Sequence, residues 1–247
     1  MKLTKSGYGW VPLFHIPIPG RHNPLIVFPT THEVVAEATL IEGGLRVEVS
    51  GSTDPAYVEG RVTAFLRHLL SEVGMSVSLE LRLRASSDTP REYAYVHATN
   101  TALELLGGKL DEDIVEAAWH VDVKVGLPHS VLALRKAQIV GKPYIWRFGE
   151  GHVELDKDLM AEVFSRSEVA FTLHTPPLAD YLTHLAGNCI VNIFTGLREG
   201  EDLSDLIRLY NALWYAIHGV YPPHGERGFG VIFPDADKAV SAEVTID

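Results

Sequence analysis

The chain has 247 residues, with 21 Lys and Arg against 32 Asp and Glu, a formal net charge of −11 and a single cysteine. That length allows one large domain or two small ones to bury a core without covalent staples, and 46% apolar with 21% charged residues excludes the composition of a disordered chain. The acidic balance excludes a general nucleic-acid or anionic-membrane binder, since both need a dense cationic footprint; a local basic pocket is still compatible with it.

Cys189 has no second cysteine for a disulfide and no thiolate cluster to hold zinc. The longest apolar runs, such as 189–194, fall far short of the roughly 20 residues that span a bilayer. The lysines at the start, MKLTKSGYGW, have no apolar stretch behind them. The expectation is a cytoplasmic protein with no signal peptide and no membrane span.

Pro12, Pro17, Pro19, Pro24 and Pro29 rule out a helix before residue 30. Leu25 to Phe28, Val34 to Ile41 and Leu45 to Val49 read as strands, the last two joined by Glu42-Gly43-Gly44 as a tight hairpin turn. Asp54-Pro55 then opens a helix whose apolar residues, from Val58 to Val73, recur at helical spacing. From Val77 to Arg84 the period changes to two, with Val77, Leu79, Leu81 and Leu83 on one face and Ser78, Glu80, Arg82 and Arg84 on the other, the mark of a half-buried strand. Ala85-Ser86-Ser87-Asp88-Thr89-Pro90 leads into a helix from about Arg91 to Leu106, stopped by Gly107-Gly108. A further helix runs from Asp111 to about Val125, acidic at its start and stopped by Gly126-Leu127-Pro128. The remainder predicts a strand at Val169 to His174, a break at Pro176-Pro177, a short helix to about Leu185, a β-rich run from Cys189 to Thr195, a long helix from Leu203 to His218 and a strand from Phe229 to Phe233. Strands and helices mixed along the whole chain favour a two-layer α+β architecture. The boundary falls near Gly149-Glu150-Gly151, between an N-terminal α+β domain (1–150) and a smaller C-terminal α+β part (151–247).

Four local segments stand out: Pro19-Gly20-Arg21; the strand Val77 to Arg84 followed by Ser86-Ser87 and an alanine-containing helix; Gly126-Leu127-Pro128; and Gly225-Glu226-Arg227-Gly228-Phe229-Gly230. With them, this order of elements resembles the superfamily of small-molecule kinases named for galactokinase, homoserine kinase, mevalonate kinase and phosphomevalonate kinase (GHMP). The resemblance implies a GHMP-like α+β fold, with ATP and Mg²⁺ as cofactors and an anionic small molecule or nucleotide held in an interdomain cleft. The family's phosphate loop carries glycines where this chain has Ser86 and Ser87 alone, and alignment of Gly126-Leu127-Pro128 places Ser130 at a family glycine and Ala133 at the family's acidic catalytic position.

Two clusters carry the candidate cofactor contacts. Arg82 and Arg84 share a strand face, Ser86 and Ser87 precede a helix start, and Arg91 lies in its first turn, so phosphate or carboxylate would meet cations and orphan N–H groups there. The same residues are also accounted for by helix capping and by pairing with Glu80 and Glu92. Gly225, Arg227, Gly228 and Gly230 form the second cluster, which reads equally as a tight helix-to-strand connection. By the resemblance, Arg21, His22 and His32, within a polar stretch that includes His15, Asn23, Thr30, Thr31 and Glu33, border the substrate pocket; an irregular proline-held loop is the plainer reading.

The 12 histidines raise the question of a metal. His120, Asp122, His129, His174, Asp180 and His184 have no ligand-motif spacing, and no metal site is assigned. No Gly-x-Ser-x-Gly elbow supports serine catalysis. The reading is a divergent GHMP-like protein binding an anionic small molecule or nucleotide, with ATP-dependent kinase activity as its enzymatic form. A catalytically silent binding or assembly protein is the alternative, and a metal-dependent hydrolase the weaker one. Neither nucleic acid nor membrane is expected as a partner, and the sequence leaves homo-oligomerisation open.

Overall fold

The computed structural model describes residues 1–15, 24–156, 159–164, 180–218, 229–235 and 238–246. The chain divides into two units, one of residues 1–11 and 29–141, the other of 12–28 and 142–247. Two long strands, β1 (Lys2–Leu13) and β2 (Leu25–Leu40), contribute residues to both.

In the first unit, β4 (Leu79–Ala85) pairs antiparallel with β2, from Val34 opposite Ala85 to Leu40 opposite Leu79. On its other side it pairs parallel with β3 (Leu45–Ser50), Leu45 lying opposite Leu79 and Ser50 opposite Arg84. The period-two pattern explains the layering: Leu79, Leu81 and Leu83 are buried, whereas Arg82 and Arg84 are exposed on the opposite face. The hairpin expected between Val34–Ile41 and Leu45–Val49 does not form, because β4 lies between the two strands. Gly43 and Gly44 do adopt positive φ, as a turn requires. They steer the chain to β4 instead: Leu79 N–H donates to the Gly44 carbonyl (3.0 Å) and Gly44 N–H to Ser78 Oγ (2.8 Å).

Four helices belong to this unit: α1 (Pro55–Glu72), α2 (Arg91–Gly107), α3 (Glu112–Val125) and α4 (Ser130–Val140). Asp54 caps α1 through Tyr57 N–H (3.0 Å), and Pro55 supplies the preset φ of a first turn. Asp111 caps α3 through Ile114 N–H (2.8 Å), and Gly126 ends it in the left-handed region. Packed against α1, α4 and β4, α2 has fourteen of its seventeen residues buried. Its polar side chains find partners on the helix itself and on the elements around it: Thr99 and Thr101 return their hydroxyls to the carbonyls of Tyr95 and His97, whereas Tyr95 reaches Asp122 on α3 and Tyr93 the Tyr8 carbonyl on β1.

In the second unit, β5 (Tyr144–Arg147) pairs antiparallel with Leu25–Val27 and with β6 (Gly151–Glu154). β7 (Ala161–Phe164) and β8 (Phe229–Asp235) both pair antiparallel with β9 (Lys238–Ile246). Helices α5 (Asp180–Glu199) and α6 (Leu203–His218) pack together, and Tyr210 meets Phe14 edge to face at 5.4 Å while donating to the His15 carbonyl at 3.1 Å. The β-rich run expected at Cys189–Thr195 is the middle of α5. Its β-branched residues favour a strand locally, but Ala186, Ile190, Ile193 and Leu197 are buried at helical spacing, and that face decides. The strand expected at 169–174 lies outside the described residues. No helix among the described residues is long and apolar enough to cross a membrane.

Candidate functional site

The strand β4 delivers the chain at Ala85 into a turn, closed by Thr89 N–H donating to the Ser86 carbonyl (3.2 Å), from which α2 rises at Arg91. Three polar side chains meet there. Ser86 Oγ lies 3.2 Å from His32 Nδ1 on β2 and 3.1 Å from Thr89 Oγ1. Ser86 and His32 are half-buried, Ser87 is exposed, and Thr89 is fully buried.

The segment before α1 holds this turn in place. Ser52 N–H donates to the Ser86 carbonyl (2.8 Å) and Thr53 N–H to the Thr89 carbonyl (2.9 Å). The approach depends on Gly51: at φ +84° it lies so close that a Cβ would stand 1.8 Å from the Ala85 carbonyl oxygen. Ser52 follows at φ +79°, a left-handed conformation that costs a non-glycine residue energy and persists only where the surroundings enforce it.

The opening of α2 is capped from a distance. Pro90, at the N-cap, has no side-chain acceptor, and neither Ser87 nor Asp88 takes that role; Ser87 Oγ donates to Asp88 Oδ1 instead (3.4 Å). The acceptor for Arg91 N–H is Thr53 Oγ1, 38 positions earlier in the chain (3.1 Å). Sequence reading missed Thr53, since a cap supplied across a fold leaves no local spacing to find, and took Thr89 only as one residue of the run leading into α2.

The anticipated arginine cluster is divided between the two sides of β4. Arg82 lies on the outer face between Glu37 and Glu48 in register, with Nε 3.2 Å from Glu48 and Nη2 3.2 Å from Glu80. Arg84 lies between Val35 and Ser50 on the same face, and among the described residues it makes no ion pair. These side chains line a shallow groove of about 350 Å³. A hydrogen bond from Lys2 holds the Glu37 carboxyl below its usual pKa, helped by the charges of Lys2, Arg82 and Arg84 against the desolvation that opposes them. Arg91, by contrast, is buried on the helix-covered side; its Nε is 2.9 Å from Glu92, Nη1 is 3.6 Å from Asp54, and the guanidinium lies 4.0 Å above the Tyr57 ring.

Gly230 sits in β8 opposite Glu243. Arg21, His22, Gly225, Arg227 and Gly228 lie outside the described residues. Ser130 and Ala133 are both buried in the first turns of α4, and Ala133 offers no ionisable group. Asp122, the nearest carboxylate upstream in sequence, is committed to Arg135. His129 meets Trp119 as a tilted ring pair, centroids 5.3 Å apart, and among the described residues no three His, Cys, Asp or Glu side chains gather as a metal site.

The donor set tests what the turn can hold. The Ser86 and Ser87 hydroxyls beside an imidazole, with buried Thr89 behind Ser86, at the positive end of a 17-residue helix, suit a single oxyanion group. They do not suit a triphosphate cradled by glycine amides: the turn contains no glycine, the adjoining Gly51 is filled by the turn's own Ala85 carbonyl, and the Thr89 amide is spent on Ser86.

No protein-family model and no curated protein sequence matches the chain. Solved structures do match, along its length. Phosphomevalonate kinase from Streptococcus pneumoniae superposes with a TM-score of 0.64 at 11% identity, covering 100% of this chain and 92% of that one. Mevalonate kinase from methicillin-resistant Staphylococcus aureus MRSA252 gives 0.59 at 12% identity, covering 99% and 90%. A mevalonate diphosphate decarboxylase from Legionella pneumophila gives 0.60 at 12% identity, covering 99% and 93%. These are GHMP-superfamily structures, and the chain is an α+β protein with their fold.

Proposed function

Starting from the GHMP-kinase fold, we propose that the chain binds a small anionic molecule at the start of α2 and does so without the family's proton-abstracting carboxylate. One observation carries this reading: His32, Ser86 and Thr89 converge within hydrogen-bond distance where α2 presents its positive end. A carboxylate or phosphate oxygen would take hydrogen bonds from the serine hydroxyls, while His32 and buried Thr89 hold Ser86 in position. The ligand class is supported by a solved structure of similar fold, the Streptococcus pneumoniae phosphomevalonate kinase described in complex with phosphomevalonate and AMPPNP, both anions. Ala133, buried and non-ionisable, supports a binding protein over a kinase that activates its acceptor with an acid at that place. The lone Cys189 supports a cytoplasmic location.

Thermal unfolding with added ligand tests the proposal, because a site present only in the native state raises the melting temperature as it fills. The panel is inorganic phosphate, phosphorylated short-chain acids, and ATP with and without Mg²⁺. The expected result is a rise with the simple phosphorylated or carboxylated compounds that disappears in Ser86→Ala, a variant that still melts cooperatively without ligand. No rise with any member of the panel overturns the reading. ATP turnover by the purified chain would establish a kinase instead, acting by positioning and charge stabilisation.

A further inference from the structure

β3 stands at the end of the strand order β3-β4-β2, and among the described residues β4 is its one partner. The bond from Leu79 N–H to the Gly44 carbonyl fixes the phase of that parallel pairing. Alternate residues of a parallel strand direct both backbone groups to the same neighbour. Gly44, Arg46, Glu48 and Ser50 therefore face β4, and Leu45, Val47 and Val49 turn their N–H and C=O groups to the open edge. The side chains alternate as well. Arg46 and Glu48 are exposed on the outer face with Arg82, whereas Leu45, Val47 and Val49 are half-buried on the helix side. Among the described residues Arg46 makes no ion pair. An open edge with its own hydrogen-bonding groups exposed is a template for another strand.

We propose that this edge is a self-association surface, on which a second copy of the chain pairs its β3 antiparallel about a two-fold axis at Val47. The register follows from charge. Outward-facing residues must oppose each other, so the axis can move only one residue at a time, and each step changes which charges meet. Centred on Arg46, the pairing sets Arg46 against itself; centred on Glu48, it sets Glu48 against itself. Centred on Val47, it sets Arg46 against Glu48 of the second copy, and the symmetry makes that contact twice.

In this register Val47 pairs with Val47 of the second copy, and Leu45 with its Val49, as hydrogen-bonded pairs. Arg46 and Glu48 fall in the non-hydrogen-bonded pairs, where side chains approach most closely. The outer face already alternates in sign from Glu37 through Arg82 to Glu48. Pairing continues the row with Arg46 and Glu80 of the second copy, because Arg46 and Glu80 are themselves in register within one chain. The two-fold axis closes the assembly as a dimer.

Native mass spectrometry and sedimentation of the full chain across the micromolar range read the outcome. The wild-type chain is expected to dimerise. Val47→Pro removes an outward N–H but no bond to β4, and should give a monomer with an intact cooperative melt. Arg46→Glu and Glu48→Arg should each weaken the dimer by roughly tenfold or more, since each turns both ionic contacts repulsive. Mixed together, the two variants should form a heterodimer in preference to either homodimer, because both contacts become attractive again. A wild-type chain that stays monomeric, a dimer that survives Val47→Pro, or folded variants that do not associate when mixed would each overturn the proposal.

Discussion

Asp122 and Arg135 grip each other at two points in a place solvent does not reach: Arg135 Nε is 2.6 Å from Oδ2 and Nη2 is 2.7 Å from Oδ1, with both side chains fully buried. Tyr95 donates to the same carboxylate at 2.6 Å. Thr99 and Asn100 accept from Nη1 at 2.9 and 2.6 Å, Nη2 also donates to the Tyr95 hydroxyl at 3.4 Å, and the cation lies 4.7 Å above the Phe65 ring. Desolvation works against the charged form of Arg135, but the carboxylate outweighs it and raises the pKa; burial, and then Asp122, raise that of Tyr95. Three helices are joined by this knot, α2 through Tyr95, α3 through Asp122 and α4 through Arg135.

Removing one partner strands the other charge in the interior. Asp122→Ala should cost about 3–5 kcal/mol in urea unfolding, whereas replacing both residues, Asp122→Leu with Arg135→Met, should restore much of the loss.

His97 makes stability depend on pH. Gln138 donates to its Nδ1 (2.9 Å) and its Nε2–H is directed to the Lys5 carbonyl (3.3 Å), so the ring is held neutral. Burial lowers its pKa to about 4; the Lys5 carbonyl opposes the shift and the Lys5 charge adds to it. The unfolded chain binds this proton near pH 6.5 and the folded chain only near 4. The contribution is therefore complete above about 6.5 and is lost as pH falls towards 4, on the order of 3 kcal/mol in all. Unfolding midpoints measured between pH 7 and 4.5 should fall more steeply for the parent than for His97→Gln.

Gly51→Ala should destabilise the fold by at least about 2 kcal/mol, because it adds a Cβ against the Ala85 carbonyl at a positive φ. The same change should abolish any ligand-induced rise in melting temperature, because the turn bearing Ser86 is pushed away. Denaturant unfolding and the thermal titration measure the two effects separately.

Thr53→Val keeps shape and removes the acceptor for Arg91 N–H. A loss of about 1 kcal/mol is expected, together with faster amide exchange at Arg91 while amides in the middle of α2 keep their protection.

Much of the fold was legible because local and tertiary preferences agree. The cap at Asp54, the acidic start of α3 with its stop at Gly126 and the alternation through β4 are where spacing predicts them. The failures have physical causes. Gly43-Gly44 reads as a hairpin turn because positive φ is needed there, but nothing in those residues says that β4 will slip between the strands. The run at 189–195 is β-branched, and only its burial pattern makes it helical. At the candidate site the sequence pointed to Ser86 and His32 separately, one by its place before a helix and one by the family resemblance. That they meet at 3.2 Å depends on the pairing of β2 with β4. The division of the arginines was implicit in the alternation, since Arg82 and Arg84 share a face opposite the leucines that α2 covers.

The passage of β1 and β2 through both units has a consequence for synthesis. Residues 12–28 belong to a unit whose remaining segment begins only at Lys142, while the other unit is complete at Gly141. On the ribosome, the first unit has all its residues before Leu25, Ile26 and Val27 acquire the β5 strand they pair with. For that interval the nascent chain carries an apolar strand segment whose β5 partner is not yet made, the kind of surface that chaperones hold and that aggregates when they do not. Truncating the gene after the codon for Gly141 would make that transient state permanent.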